Sequence, residues 1–196
     1  LTQWVIKNAI LFCKEVLDLG YDINVAVNIS ARNLLEEDFV HAVNQLLIDY
    51  SFDPSHLTLE VVESALVEDY AQTIGKLESL KHFGIKLSID DFGTGYSSLA
   101  YLKRLPVDEL KIDRSFVKDM LSNNADQAII ETTINLAHRF NLNVVAEGIE
   151  DKGTLELLTE MNCDTAQGYF FTKPMPTNML KDWLSNSSWK PDKQLT

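Results

Sequence analysis

The stretch SIDDFGTGYSSL, residues 88–99, sets two adjacent carboxylates, Asp90 and Asp91, at the end of an apolar run and follows them with a glycine- and hydroxyl-rich loop. Neighbouring carboxylates disfavour each other's ionised form, so their placement together calls for something that neutralises them. Comparable groups close the other apolar runs: Asn28 and Ser30, Glu63, the pair Lys111 and Asp113, Glu147 with Glu150 just beyond it, and Gln167. Singly, each has a plain structural reading. An acid or hydroxyl at a strand end commonly caps the next helix, as Asn28, Ser30 and Asp113 could, while Lys111 could be an exposed strand residue and Gln167 a loop hydrogen-bonder. Glu60, out of phase with Glu63, reads as a separate partner, either supporting the site or facing the helices. Taken together, a set of Asp, Glu and Asn oxygens suits hard cations such as Mg²⁺ or Mn²⁺. Where a strand passes into a loop the two-residue alternation fails, so Asp90 and Asp91 can both approach one cluster and bridge two ions, as in two-metal phosphoryl hydrolysis. Two rivals use similar residues. A glycosidase needs paired carboxylates without metal, and a Schiff-base aldolase needs a strand lysine such as Lys111. The first leaves Lys111 unexplained and the second leaves the acids unexplained.

The elements that must position these groups recur along the chain. Strand-like runs cover 23–30, 57–64, 85–91, 108–113, 142–149 and 163–171. Helical patterns cover the opening twenty residues, then 36–50, 67–82, 122–140, 151–161 and 177–184, with a shorter turn near 97–103. Val-, Ile- and Leu-rich runs, each followed by a helix, signal parallel βαβ units, and alternation without a break in composition signals one α/β domain. No GxGxxG or P-loop pattern follows a strand, which disfavours the nucleotide-binding open sheets. The closed (β/α)₈ barrel and the open doubly wound sheet are the two candidates, and in the barrel the chemistry sits at the C-terminal ends of the strands. On the barrel reading, six strands behind an opening helix imply that roughly two strands are absent at the start. An open barrel is expected to expose sheet edges and apolar inner faces. Residues 1–184 read as the domain and 185–196 as a tail or linker.

Composition sets the outer bounds. The chain has 196 residues, 45% of them apolar, and a formal charge of −12, which argues against a nucleic-acid duplex as partner. An anionic small molecule remains compatible if cations stand between it and the protein. Cys13 and Cys163 lack metal-like spacing and read as reduced core residues, and the four scattered histidines suggest no zinc site. No run is long enough to span a bilayer and the opening is an amphipathic helix, so a cytoplasmic domain is expected, with any anchor lying outside this chain.

The segments VNIS (27–30), ESAL (63–66), DDFGTGYSSLAYLKRLPVDELKIDRSFV (90–117), AEGIE (146–150) and QGYFFTKPMP (167–176) resemble the EAL family of bacterial cyclic di-GMP phosphodiesterases, over essentially the whole chain. The resemblance implies a TIM-type barrel and Mg²⁺- or Mn²⁺-dependent hydrolysis of cyclic di-GMP to linear pGpG. By it, Asn28, Glu63, Asp90, Asp91 and Glu147 match metal-site positions. Lys111 matches the lysine that positions and activates the attacking water, Gln167 a further active-site position, and Glu150 the glutamate that steadies the loop after the aspartates. The loop Phe92 to Ser98 matches the segment that couples homodimer contacts to the metal site, and sensory or GGDEF-type domains can precede such barrels. The Glu-Ala-Leu motif itself is absent, as is the arginine expected near it, and Val62 stands where threonine is usual. A missing ligand would lower turnover by this chain alone by orders of magnitude. The alternative reading is a non-catalytic cyclic di-GMP receptor that signals through dimer contacts.

Overall fold

A computed structural model describes residues 1–63, 70–93 and 102–189. Helix α1 (Thr2–Asp18) leads into β1 (Val25–Ile29), α2 (Ala31–Leu35), α3 (Phe39–Asp49) and β2 (Leu57–Val62). Then follow α4 (Tyr70–His82), β3 (Lys86–Phe92), β4 (Glu109–Ile112), α5 (Arg114–Val117) and α6 (Asn124–Arg139). The chain continues through β5 (Asn143–Glu147), α7 (Lys152–Glu160), β6 (Thr165–Gln167) and α8 (Thr177–Asn186). All six strands pair in parallel, in the order β1-β2-β3-β4-β5-β6, as a curled part of a (β/α)₈ barrel. Among the described residues neither β1 nor β6 pairs with a further strand.

The strand and helix runs expected from the sequence correspond to these elements, but the sixth strand is much shorter than the expected 163–171, at Thr165–Gln167. The short helices α2 and α5 add to the expected set. Each starts at a strand end where a side chain caps it: Ser30 Oγ accepts from the Asn33 N–H, and Asp113 Oδ1 from the Ser115 N–H at 3.0 Å. The turn expected near 97–103 lies largely outside the described residues.

Strict two-residue alternation divides the sheet. On one face Val27, Ile29, Leu57, Leu59, Val61, Leu87, Ile89, Leu110, Ile112, Val144 and Ala146 are buried against the helices. They meet Ile6, Ile10 and Cys13 of α1, Phe39 and Val43 of α3, Leu77 and Leu80 of α4, and Ile130 and Ile134 of α6. The three- and four-residue spacing of these positions makes one apolar stripe per helix. The other, concave face carries Asn28, Thr58, Glu60, Lys86, Ser88, Asp90, Glu109, Lys111, Asn143, Glu147, Thr165 and Gln167, interrupted by Ala26, Val62 and Val145. The apolar inner face expected from an open barrel is therefore not found: the inner face is polar, because every strand alternates. A cleft of about 310 Å³ lies over it, lined in part by Thr58, Glu60, Lys86, Glu109, Lys111 and Gln167.

At the ends, α8 packs Leu184 against Val16 and Tyr21, and Lys181 pairs with Glu15 at 2.6 Å. That helix runs two residues past the expected domain end, and Trp189 sets its ring edge-on to Phe170 and Phe171 at 5.8 and 4.9 Å between centroids. No helix among the described residues is long and apolar enough to cross a membrane.

Cys13 is buried, Cys163 is half-buried, and both are free. Burial pushes both thiols up to about 11. Raised thiol pKa values favour the folded state below the unfolded value, about 8.5, and this contribution falls as pH rises beyond it. At pH 8 both thiols are expected to resist a disulfide reagent in the native protein and to react at once in denaturant. Fast native labelling of Cys13 would contradict its place in the core.

Candidate active site

The site forms where the strands end. At β3 the pairing with β4 shifts register between Ile89 and Phe92, and Asp91 takes a left-handed backbone, φ 56°. The Asp91 N–H donates to Asp90 Oδ1 at 3.1 Å. This bulge answers the question the adjacent pair raises: an irregularity in alternation turns both carboxylates toward one place. Oxygens of Asp90, Asp91 and Glu147 all lie within 4.8 Å of one another. Burial, then the charges of Asp90 and Asp113, push the Asp91 carboxyl above its usual range.

Lys111 stands at the centre, 3% exposed. Its Nζ lies 2.7 Å from Glu147 Oε1, 2.9 Å from Asp90 Oδ1 and 3.0 Å from Glu60 Oε2. Burial pulls its pKa down, but the hydrogen bonds and charges of Glu147, Glu60 and Asp90 outweigh that, and the net shift is upward. The ammonium is thus a fixed cation at neutral pH. Glu60 is held above the usual carboxylate range by burial, against the opposing pull of Lys111.

Of the two places expected for Glu60, supporting the site or facing the helices, the structure shows the first: it faces the cavity and pairs with Lys111. Its parity with Thr58 on the polar inner face carries this direction in the sequence. Strand β2 ends at Val62, so Glu63 no longer shares the phase of Leu57, Leu59 and Val61. Glu63 is buried instead in the turn after β2, where its Oε2 accepts the Gly93 N–H at 3.0 Å. It thereby ties β2 to the loop that follows the aspartates. Replacing Glu63 by Gln weakens a charge-assisted bond; Glu63→Ala removes it, and the Gly93 amide is expected to exchange at least about ten-fold faster, consistent with the loss of a bond to a charged group. Unchanged exchange would remove this role.

The other expected residues take peripheral places. Asn28 is exposed on the concave face of β1, in register with Glu60. Gln167 is exposed on β6, in register with Glu147. Glu150 is exposed in the loop beyond β5, outside the carboxylate cluster. Of the loop Phe92 to Ser98, only Phe92 and Gly93 lie within the described residues.

Comparison with known proteins agrees with this geometry. The EAL domain family matches residues 1–174. The bifunctional diguanylate cyclase/cyclic di-GMP phosphodiesterase MucR of Pseudomonas aeruginosa is 43% identical over 179 residues, covering 91% of this chain and 26% of that protein. The cyclic di-GMP phosphodiesterase NbdA of the same organism is 43% identical over 188 residues, covering 94% of this chain and 24% of that protein. The chain therefore spans about a quarter of the length of these curated relatives. Among solved structures, the MucR phosphodiesterase in complex with c-di-GMP superposes with a TM-score of 0.87, over 91% of this chain and 72% of that one. The EAL domain of Mycobacterium smegmatis DcpA, 36% identical, gives 0.89 over 95% and 85%. With the family matched over nearly its whole length and the fold shared with solved members, this chain belongs to the EAL domain family.

Proposed function

We propose that this chain carries the metal-dependent hydrolysis of one phosphodiester bond of cyclic di-GMP, giving linear pGpG. The observation that carries the proposal is the convergence of Asp90, Asp91 and Glu147 around a buried lysine, at the strand ends of a family whose similar members are named cyclic di-GMP phosphodiesterases. The donor set fits Mg²⁺ or Mn²⁺: hard carboxylate oxygens, close enough to share an ion, with Lys111 as a counter-charge to Asp90 and Glu147. Asp90, Asp91 and Glu147 would hold the ions, with Glu60 a fourth carboxylate beside them and Asn28 across from it. When bound, a pair of such ions neutralises the phosphate and supplies an activated water.

The chain's own residues do the rest. Lys111, permanently protonated, would orient the attacking water with a hydrogen bond released from one of its three carboxylates and meet the charge that grows on the phosphoryl oxygens. It cannot serve as a general base, since its proton is held by three carboxylates. Glu60 fixes the ammonium from below, while Glu63 anchors the loop at Gly93, the task expected of Glu150. Gln167, in register with Glu147 on the next strand, lines the cleft together with Lys111 and Glu60 and is placed to contact substrate.

A homodimer built through the loop after Asp91, and sensory or GGDEF-type domains alongside the barrel, belong to this reading by family likeness, as does a cytoplasmic location. The receptor alternative predicts binding without turnover. Equilibrium dialysis of labelled cyclic di-GMP with Mn²⁺, followed by chromatography of what was bound, separates the two. Linear product is expected; intact nucleotide on both sides of the membrane, with retention by the protein, would favour a receptor.

A further inference from the structure

We propose that two contacts without a Cβ, Gly148 against Arg114 and Gly168 against Ile149, form a clamp that sets Glu147 relative to Lys111 and Gln167, making both glycines positioning residues of the site. Each glycine directly follows a residue of the site: Gly148 follows Glu147 of the carboxylate cluster, and Gly168 follows Gln167 of the cleft. A Cβ on Gly168 would lie 2.1 Å from the Ile149 carbonyl oxygen, 2.3 Å from its nitrogen and 2.7 Å from its carbonyl carbon. These are backbone atoms and cannot swing aside as a side chain would. They are also pinned, since the Ile149 N–H donates to the Gln167 oxygen at 3.1 Å and the Ile149 oxygen accepts from the Phe170 N–H at 3.0 Å. The β6 exit is thus folded around one residue of the β5 exit, Ile149, with Gly168 in the crook.

The second contact locks β5 to β4. Gly148 has φ +77°, and a Cβ there would lie 2.6 Å from Arg114 Cβ and 3.4 Å from its Cα. Arg114 opens α5 three residues after Lys111, held by the cap that Asp113 makes on Ser115. Three strand exits therefore meet at two points where only glycine fits. The Lys111 Nζ–Glu147 Oε1 contact of 2.7 Å joins two of these strands, β4 and β5. Relieving a 2.1 Å approach needs a backbone shift of about 1 Å. A displacement of that size carries the contact beyond hydrogen-bond reach. Misplacement by about 1 Å is also enough to cost on the order of 10²-fold in rate.

A matched control exists at the opposite end of the sheet. Gly84, just before β3, has φ +90° and a Cβ there would meet Pro54 Cγ at 3.1 Å, yet it touches nothing in the site. The test compares Gly168→Ala, Gly148→Ala and Gly84→Ala by two readouts. One is the Lys111–Glu147 distance in crystals of each variant. The other is Mn²⁺ affinity, read from the loss of the free-ion EPR signal; only this arm rests on the phosphodiesterase reading. In the two site variants the contact is expected to open and Mn²⁺ affinity to fall about ten-fold or more. In Gly84→Ala both are expected to stay as in the parent chain, although its melting temperature falls as well. A retained contact in Gly168→Ala or Gly148→Ala, or an equal loss in Gly84→Ala, overturns the clamp. A parent chain that binds no Mn²⁺ overturns the metal-dependent reading, and the distance alone then judges the clamp. Should Gly168→Ala not fold, Gly148→Ala, which meets a side-chain carbon, decides by the same two readouts.

Discussion

Replacing Lys111 by methionine is expected to lower cyclic di-GMP hydrolysis by on the order of 10²–10³-fold, the cost of removing one preorganised donor from a developing oxyanion. It is also expected to destabilise the metal-free protein by about 3–5 kcal/mol, because three carboxylates within 3.0 Å of the ammonium lose their common partner. Methionine fills the space, so the loss is one of charge and not of packing. The destabilisation has a defined pH dependence. Glu60 already sits above the usual range through burial, and without Lys111 the pull that opposes burial is gone. A carboxyl whose folded pKa exceeds its unfolded value, about 4.3, adds stability at low pH that is lost as pH rises toward and through the folded value. The gap in melting temperature between variant and parent is therefore expected to narrow as pH falls from 7 toward about 4.5 and to widen as it rises again. In the parent, Lys111 carries a linkage of the same sign in a higher window: its raised pKa keeps its contribution whole below about 10, so it adds no slope between pH 5 and 8. Divalent cations should stabilise the methionine variant more than the parent, since they replace the missing charge. A folded Lys111→Met protein with activity within ten-fold of the parent would remove the lysine from the mechanism.

Asp90→Asn separates function from stability. The substitution keeps the shape of a side chain 2.9 Å from Lys111 but deletes a charge from the cluster with Asp91 and Glu147. Mn²⁺ affinity is expected to fall by at least about 10²-fold, beyond the usual cost of changing a group that merely supports a ligand. Hydrolysis should fall with it. Stability, however, should hold or rise, because Asp90 is one of the charges that push the Asp91 carboxyl up. Like charges gathered for function are a standing cost to the fold, and relieving one returns it. Lys111→Met and Asp90→Asn thus lose the same activity with opposite effects on melting temperature. Equal destabilisation by both would mean that the carboxylates are held by something other than the lysine.

Much of this architecture was legible before any coordinates. Val-, Ile- and Leu-rich runs followed by helical patterns mark the strands, and the acids that end them point to the rim of a barrel. The adjacent Asp90 and Asp91 already implied a break in alternation, which the left-handed Asp91 and the register shift supply. Phase does not carry past the end of a strand. Glu63 lies beyond the last residue of β2, so its parity says nothing about direction, and contrast with it leaves open which of the two places expected for Glu60 is the real one. Parity holds only while the ladder continues. The polar inner face was equally readable from Lys86, Ser88 and Asp90, but the expectation of an apolar barrel interior overrode it. The clamp of Gly168 on Ile149 could not be read at all. It depends on an approach between loops nineteen residues apart, and a glycine shows no sign in sequence of which backbone it admits.

The central claim is that water, positioned at this cluster, opens one phosphodiester bond of cyclic di-GMP. The most direct measurement is hydrolysis in ¹⁸O-enriched water with Mn²⁺, with mass analysis of the product and chelator as control. The result expected is linear pGpG bearing one heavy oxygen on its terminal phosphate, formed with Mn²⁺ and absent with chelator. Cyclic dinucleotide recovered intact, or product formed equally in chelator, would contradict the account.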